Sequence, residues 1–298
     1  MALPRFGTVL TAMVTPFAPD SSIDFDVATQ LAKFLVEQGC DGLVIAGSTG
    51  EGSALSDEEK LDLFSCVAQA VSVPVLAGST SSDTARSVAL TGRVAATGVA
   101  GVLATTPAYA RPSQAGIAAH FTAVANSTNL PVMLYDIPSR TGRKIHSATT
   151  VGLVRALANV IALKDASGDL VEAAHTKAVL GDELDLYSGD DSVLLAFMAI
   201  GAVGIVSVAA HWAAPEFAAV VRSVEKGDWE KARECNERLA VSCAWESTEF
   251  YPNPIPAKAA LRALGFAVGQ CRLPLGPSDG ACDDQAAEIV ASLRATRG

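Results

Sequence analysis

Short apolar runs of β-forming residues return about every 30 residues along the chain, the interval of successive strand–helix units. Eight are present: GTVLTAMV (7–14), DGLVIAG (41–47), VPVLAG (73–78), AGVLATT (100–106), LPVMLYD (130–136), NVIALKD (159–165), LDLYSG (184–189) and AVGIVSV (202–208). Each is apolar without interruption rather than alternating, the pattern of parallel strands buried on both faces. Helical patterns occupy the gaps. Val27, Leu31, Phe34 and Leu35 form one apolar stripe with Gly39 placed to end it. Ser56 and Glu59 make a capping box ahead of Leu61, Phe64, Ala68 and Val71. After residue 225 the strand signal stops, and helical segments follow, broken by the stiff stretch YPNPIPAK (251–258). The expectation is an α/β fold: a (β/α)8 TIM barrel over residues 1–225 with a helical C-terminal region over 226–298. An open doubly wound sheet is the alternative.

The 298 residues suffice for one such barrel, and half of them are hydrophobic, which suits a large continuous core. The net charge of −10 makes nucleic acid and anionic membrane surfaces poor partners. Small anionic substrates stay open, because a few cations and backbone N–H groups can make a local site positive. The cysteines, at 40, 66, 235, 243, 271 and 282, form no C-x-x-C pair, which reads as free thiols of a reducing cytoplasm. Two segments imitate targeting or membrane signals. The N-terminal MALPRFGTVLTAMVTPFAP has a brief apolar core broken by Thr8, Thr11 and Thr15, and reads as a first strand rather than a signal peptide. Val193 to Ala210 approaches the length of a membrane span. Gly201 and Gly204 divide it, and its composition changes from helix-like to β-rich, so it reads as a buried helix running into a buried strand.

In barrels of this kind the reacting groups stand at the C-terminal ends of the strands. That rule selects Gly47–Glu51, Tyr109, Tyr135 with Arg140, Lys164 with Asp165, Gly189-Asp190-Asp191, and Ser207 with His211. Lys164 is the only lysine that closes an apolar strand. Burial there disfavours the ammonium and frees a lone pair to attack a carbonyl, although an ion pair with Asp165 fits the position equally well. Tyr135 and Tyr109 are candidates for relaying protons, with Ser48 or Thr49 as a hydroxyl bridge. Gly47-Ser48-Thr49-Gly50 offers N–H groups and hydroxyls to a carboxylate, and Arg140 can fork onto a second one or make a surface ion pair. The four histidines show no metal-ligand spacing. Asp190 and Asp191 fit the capping of a following helix better than a metal. No G-x-S-x-G elbow and no nucleotide-binding glycine motif occurs.

The same residues carry a resemblance to the dihydrodipicolinate synthase and N-acetylneuraminate lyase family of class I aldolase barrels. It runs from TAMVTPF to RLPLGP, through GSTGE (47–51), TPAYARPSQ (106–114), LYDIPSRTG (134–142), IALKDASG (161–168) and YSGDD (187–191). The resemblance implies that Lys164 forms the Schiff base, that Tyr135 relays protons and orients substrate, and that Ser48 is the relay hydroxyl. It makes Tyr109 the tyrosine lent by a neighbouring subunit, and Thr49 with its backbone the cradle of the pyruvate carboxylate. Gly189 and Val206 fall where main-chain groups line the site. Arg140 matches the arginine that holds the carboxylate of aspartate semialdehyde in the synthase branch, which the lyases usually lack. The implied reaction condenses pyruvate with aspartate semialdehyde to 4-hydroxy-tetrahydrodipicolinate, on the lysine and diaminopimelate route, with no cofactor and no metal. A cytoplasmic homotetramer built from tight dimers is implied as well.

Departures from the pattern keep alternatives open. Ser48 stands where the synthases usually have threonine and the lyases often have serine, so an aldolase for sialic acid or 2-keto-3-deoxy sugar acids is the second reading. A non-catalytic keto-acid-binding barrel is the third. Where relatives bind lysine as a feedback inhibitor, the matching positions here are Lys60, Ser82, Arg86 and Ala108. A lost acidic partner and a gained arginine predict weak or absent lysine inhibition.

Overall fold

The structure, a computed structural model, describes residues 4–295. The strands are β1 (Val9–Ala12), β2 (Gly42–Ile45), β3 (Val75–Gly78), β4 (Gly101–Thr105), β5 (Val132–Asp136), β6 (Val160–Asp165), β7 (Asp185–Ser188) and β8 (Gly204–Ser207). Each lies inside one of the eight apolar runs, and they pair in parallel, in chain order, into a closed barrel. The fold is therefore a TIM barrel, and the open sheet is excluded by the pairing of β1 with β8.

The helices are α1 (Phe25–Glu37), α2 (Asp57–Ala70), α3 (Thr84–Val94), α4 (Gln114–Ala125), α5 (Pro138–Thr141), α6 (Ser147–Ala156), α7 (Leu170–Leu180), α8 (Leu194–Ala199) and α9 (Ala210–Glu225). Beyond them lie α10 (Trp229–Trp245), α11 (Ile255–Ala263) and α12 (Gly280–Ala295). Local signals set their starts. The Ser56–Glu59 capping box forms reciprocally, and Asp24, Asp83, Ser113, Asp169 and Asp228 each accept a first-turn N–H. Such caps contribute about 1 kcal/mol each. Gly39, at φ +97°, follows α1 in the left-handed conformation that ends a helix.

Two apolar layers result. One lies between the strands and the surrounding helices, and includes Leu31, Leu43, Phe64, Leu134 and Leu163. The other fills the barrel with Leu10, Val44, Leu76, Leu103, Met133, Tyr135, Tyr187 and Val206. The interior is thus a packed core and leaves only the C-terminal mouth for chemistry. The 193–210 segment is α8 followed by β8, as its glycines indicated, and no helix among the described residues is long and apolar enough to cross a membrane.

One irregularity decides how the mouth is furnished. Val132 pairs with Val160, but Met133 pairs with Ala162, so Ile161 is an extra residue in β6. The slip brings Lys164 opposite Tyr135 and Asp165 opposite Asp136; the unshifted register would have put Leu163 opposite Tyr135. Because side chains alternate along a strand, one extra residue exchanges the faces of everything after it.

Candidate active site

A cavity of about 580 Å³ opens at the C-terminal mouth of the barrel, with Lys164 and Tyr135 in its lining. Lys164 is 4 % exposed, and its Nζ lies 4.3 Å from the centroid of the Tyr135 ring. Among the described residues no carboxylate lies within ion-pair distance of it. The ion pair with Asp165 that the sequence left open is not formed. Asp165 sits on the opposite face of β6, and its carboxylate accepts the Ser167 N–H at 2.8 Å. Burial lowers the Lys164 ammonium to about 8, a pull that the neighbouring Asp191–Glu246 carboxyl pair opposes and that Arg140 adds to. About a tenth of the amine is therefore unprotonated at pH 7, far more than for an exposed lysine.

Space for the lysine stem depends on Gly189. A Cβ there would stand 2.9 Å from Lys164 Cγ and 2.9 Å from Ala166 Cβ, closer than carbon atoms approach. The Gly189 N–H is already given to the Asp165 carbonyl at 2.7 Å. Tyr135 is also buried, which pushes its phenol up to about 12, while Arg140 and a hydrogen bond with Ser48 pull the other way. It therefore stays a neutral phenol at ordinary pH, hydrogen-bonded to the Ser48 hydroxyl.

The loop after β2 holds Ser48 and Thr49. Glu51 closes it in a left-handed conformation, φ 53°, unusual for a residue with a Cβ. Buried partners over-determine that turn. Lys258 Nζ reaches Glu51 at 2.7 Å, and the Arg272 N–H donates to it at 2.8 Å. Thr49 Oγ1 accepts from Asn253 Nδ2 at 3.0 Å, and the Asn253 carbonyl accepts from Arg140 at 2.9 Å. Residues near 250 thus tie together the two places proposed to hold carboxylates.

Lys164, Tyr135, Ser48, Thr49, Arg140 and Gly189 all line this one cavity. Two other named positions lie elsewhere. Val206 is buried inside the barrel, and Val208 reaches the cavity in its place. Tyr109, expected to serve a neighbouring subunit, is 97 % exposed and does not line the cavity of its own chain. It sits in a loop where Tyr109 and Arg111 have φ of 70° and 47°, and where Arg111 Nε donates to the Gly142 carbonyl at 3.0 Å.

Other candidates turn out to be framework. His211 Nε2 accepts the Val14 N–H at 3.1 Å and its Nδ1 donates to the Val208 carbonyl at 2.7 Å. Burial lowers it to about 4, so it is neutral and joins the β1 and β8 ends. Asp190 caps the turn at Asp191–Val193, as expected. Asp191 does not. It turns inward and accepts from Ser207 Oγ at 2.8 Å and from the N–H groups of Val208 and Ala209 at 3.0 and 2.6 Å. Strand-end reasoning missed the C-terminal contribution: Glu246 and Asn253 line the cavity from the end of α10 and the turn before α11. A polar residue in the otherwise stiff YPNPIPAK stretch was the available signal for Asn253. Nothing local marked Glu246.

A second cavity, of about 600 Å³, shares Ser48, Ile137 and Arg140 with the first. It gathers Lys60, Ser82, Arg86 and Ala108 from the predicted feedback position. Asp57 pairs with Arg86 at 2.9 Å, so the Arg86 charge is largely neutralised, while Lys60 and Arg140 line the same cavity without an ion pair among the described residues.

The sequence model of the dihydrodipicolinate synthetase family matches residues 5–293. A 4-hydroxy-tetrahydrodipicolinate synthase of Moorella thermoacetica is 43% identical over 294 residues, covering 98% of this chain and 99% of that protein. One of Synechococcus elongatus is 42% identical over 276 residues, covering 92% of this chain and 91% of its own. Among solved structures, dihydrodipicolinate synthase DapA-2 of Bacillus anthracis superposes with a TM-score of 0.92 at 38% identity, over 96% of this chain and 98% of that one. The enzyme of Cyanidioschyzon merolae, solved with lysine bound, gives 0.94 at 38% identity over 97% and 99%.

Proposed function

Since the chain belongs to the dihydrodipicolinate synthetase family, we propose that it condenses pyruvate with aspartate semialdehyde through a Schiff base on Lys164, giving 4-hydroxy-tetrahydrodipicolinate for lysine and diaminopimelate synthesis. One observation carries the assignment of Lys164: its amine is buried at the cavity wall beside Tyr135 without a carboxylate partner, and burial brings it to about 8.

The neutral amine attacks the pyruvate carbonyl carbon, and the adduct loses water to an iminium. That cation accepts the electron pair left when a methyl proton departs. Tyr135 and Ser48, hydrogen-bonded to one another, move the protons. The enamine carbon then attacks the aldehyde. The substrate's own amine closes the ring and displaces Lys164, which returns to its starting form. The Ser48–Thr49 loop, fixed from behind by Glu51 and Lys258, receives the pyruvate carboxylate, and Arg140 the carboxylate of the semialdehyde. The electron sink is the lysine imine, so this cycle calls for no further cofactor.

The test is intact mass after borohydride reduction with pyruvate, for the native protein and Lys164→Ala, followed by a coupled assay with aspartate semialdehyde. An adduct that needs Lys164, with semialdehyde consumption, is expected. An adduct with release of pyruvate from sugar acids and no semialdehyde turnover would assign a sibling aldolase instead, and no adduct would remove the mechanism.

A homotetramer of tight dimers completes the reading, with Tyr109 lent to a neighbouring cavity. Two left-handed residues holding an exposed ring outward cost on the order of 1 kcal/mol each, which a subunit contact would offset. A forced monomer should keep its fold and lose activity; a fully active monomer would refute the role of Tyr109. A cytoplasmic location is part of the same proposal and is consistent with six unpaired thiols.

A further inference from the structure

The cavity has walls of opposite charge, and the steps above use only the positive one, at Arg140. The negative wall forms where the end of α10 meets the ends of β7 and β8. Asp191 and Glu246 both line the cavity there, and their carboxyl groups are hydrogen-bonded to each other. Asp191 is buried and Glu246 half-buried with its Oε2 shut off from solvent, and two carboxyl groups in such contact favour sharing one proton over both ionising.

The surroundings say which member holds it. Burial raises the Asp191 carboxyl too, but donors from Ser207, Val208 and Ala209 oppose that rise. Glu246 lies close to the Ala209 N–H, but its Oε2 is cut off from solvent and meets no donor. Burial and the neighbouring Asp191 charge push Glu246 well above the usual carboxylate range. Glu246 is therefore the acid and Asp191 the carboxylate, and together they present one negative charge.

The pair is also linked to Arg140 through one short segment. The Arg140 guanidinium donates to the Asn253 carbonyl at 2.9 Å, and the Asn253 N–H donates to Ser247 Oγ at 3.3 Å, one residue from Glu246. Cation and anion thus flank the same cavity, anchored to the same turn. A 2-amino acid carries both charges on a single carbon, and a site selective for it needs this arrangement.

We propose that the Asp191–Glu246 carboxyl pair receives the ammonium group of the semialdehyde, taking its proton before the freed amine closes the ring, while Arg140 holds its carboxylate. The pair then selects an amino-acid aldehyde over aldehyde acids that lack the amine. This inference rests on the functional reading above and adds a specificity-determining residue, Glu246, from outside the barrel strands.

The test compares aspartate semialdehyde as substrate with succinic semialdehyde, the same aldehyde acid without the amine, as its competitor. Both constants are measured for wild type, Glu246→Gln and Glu246→Leu. Borohydride trapping of pyruvate at the wild-type rate certifies an intact Lys164 site in each variant. In Glu246→Leu the KM for aspartate semialdehyde should rise at least about tenfold, the size of one hydrogen bond to a charged group. Glu246→Gln keeps a donor toward Asp191 and should rise less, in the same direction. The inhibition constant of succinic semialdehyde should stay within about twofold of wild type, because it makes no such bond. An unchanged KM in both variants overturns the proposal. So does a parallel shift of both constants, or a slower trapping rate, which would make the pair a partner of Lys164 alone. Wild-type protein that traps pyruvate but leaves aspartate semialdehyde unconsumed would refute the functional reading itself.

Discussion

Replacing Lys164 with methionine should abolish imine formation and, at the same time, make the protein more stable. The ammonium is buried without a carboxylate partner, and its pKa falls from 10.5 to about 8. At ~1.4 kcal/mol per pKa unit that difference is roughly 3 kcal/mol of destabilisation carried by the folded wild type. Contact with the Tyr135 ring offsets about 1 kcal/mol of it. The sign and the pH window follow from the direction of the change. Below pH 8 both folded and unfolded states hold the proton, and the full penalty is present. Between 8 and 10.5 the unfolded state binds more protons, so wild-type stability rises with pH. Above 10.5 both states are neutral and the penalty is gone. The advantage of Lys164→Met should therefore be ~2–3 kcal/mol at pH 7 and shrink below ~1 kcal/mol by pH 10. Urea midpoints of both proteins at those two pH values measure it. A variant no more stable than wild type at pH 7 would refute the reasoning, as would a gain that does not change with pH.

Two other substitutions or ligands probe neighbouring parts of the site. Gly189→Ala places a Cβ 2.9 Å from Lys164 Cγ and should slow borohydride trapping of pyruvate while the fold survives. A displaced stem of this kind costs about 10–100-fold in rate, and trapping at the wild-type rate would show that the lysine evades the methyl. Lysine should inhibit weakly or not at all, because the Lys60 ammonium, 4 % exposed, occupies the wall of the second cavity without an ion-pair partner. Half-maximal inhibition at sub-millimolar lysine would contradict this.

Most of the fold and part of the site could be read along the chain. The eight apolar runs specified strands because a parallel sheet covered on both faces needs apolar residues on both, a local property of each segment. Lys164 announced itself for the same reason, as a cation ending such a run. Local dipeptide signals such as Ser56 with Glu59 also acted as written. Pairing is different, because it joins residues far apart. The extra residue Ile161 brings Lys164 opposite Tyr135, and nothing in IALKD marks it as extra until β5 lies alongside. Strand alternation, whatever the register, explains why Asp165, adjacent in sequence, is no partner for Lys164. His211 and Asp191 looked reactive from their strand-end positions, but only the packed structure supplies the backbone groups that occupy them. Glu246 is the clearest case. A glutamate at the end of a surface-type helix reads as solvated, and its carboxyl rises well above the ordinary range only where tertiary packing desolvates it and sets it against Asp191. The sequence by itself determined which segments are strands and that Lys164 ends one of them, because the burial pattern of a strand is local, but it gave no sign that Lys60 and Lys258 are buried as well. The tertiary structure alone decided which charges face one another in the cavity, because electrostatic environment is a property of space rather than of sequence neighbours.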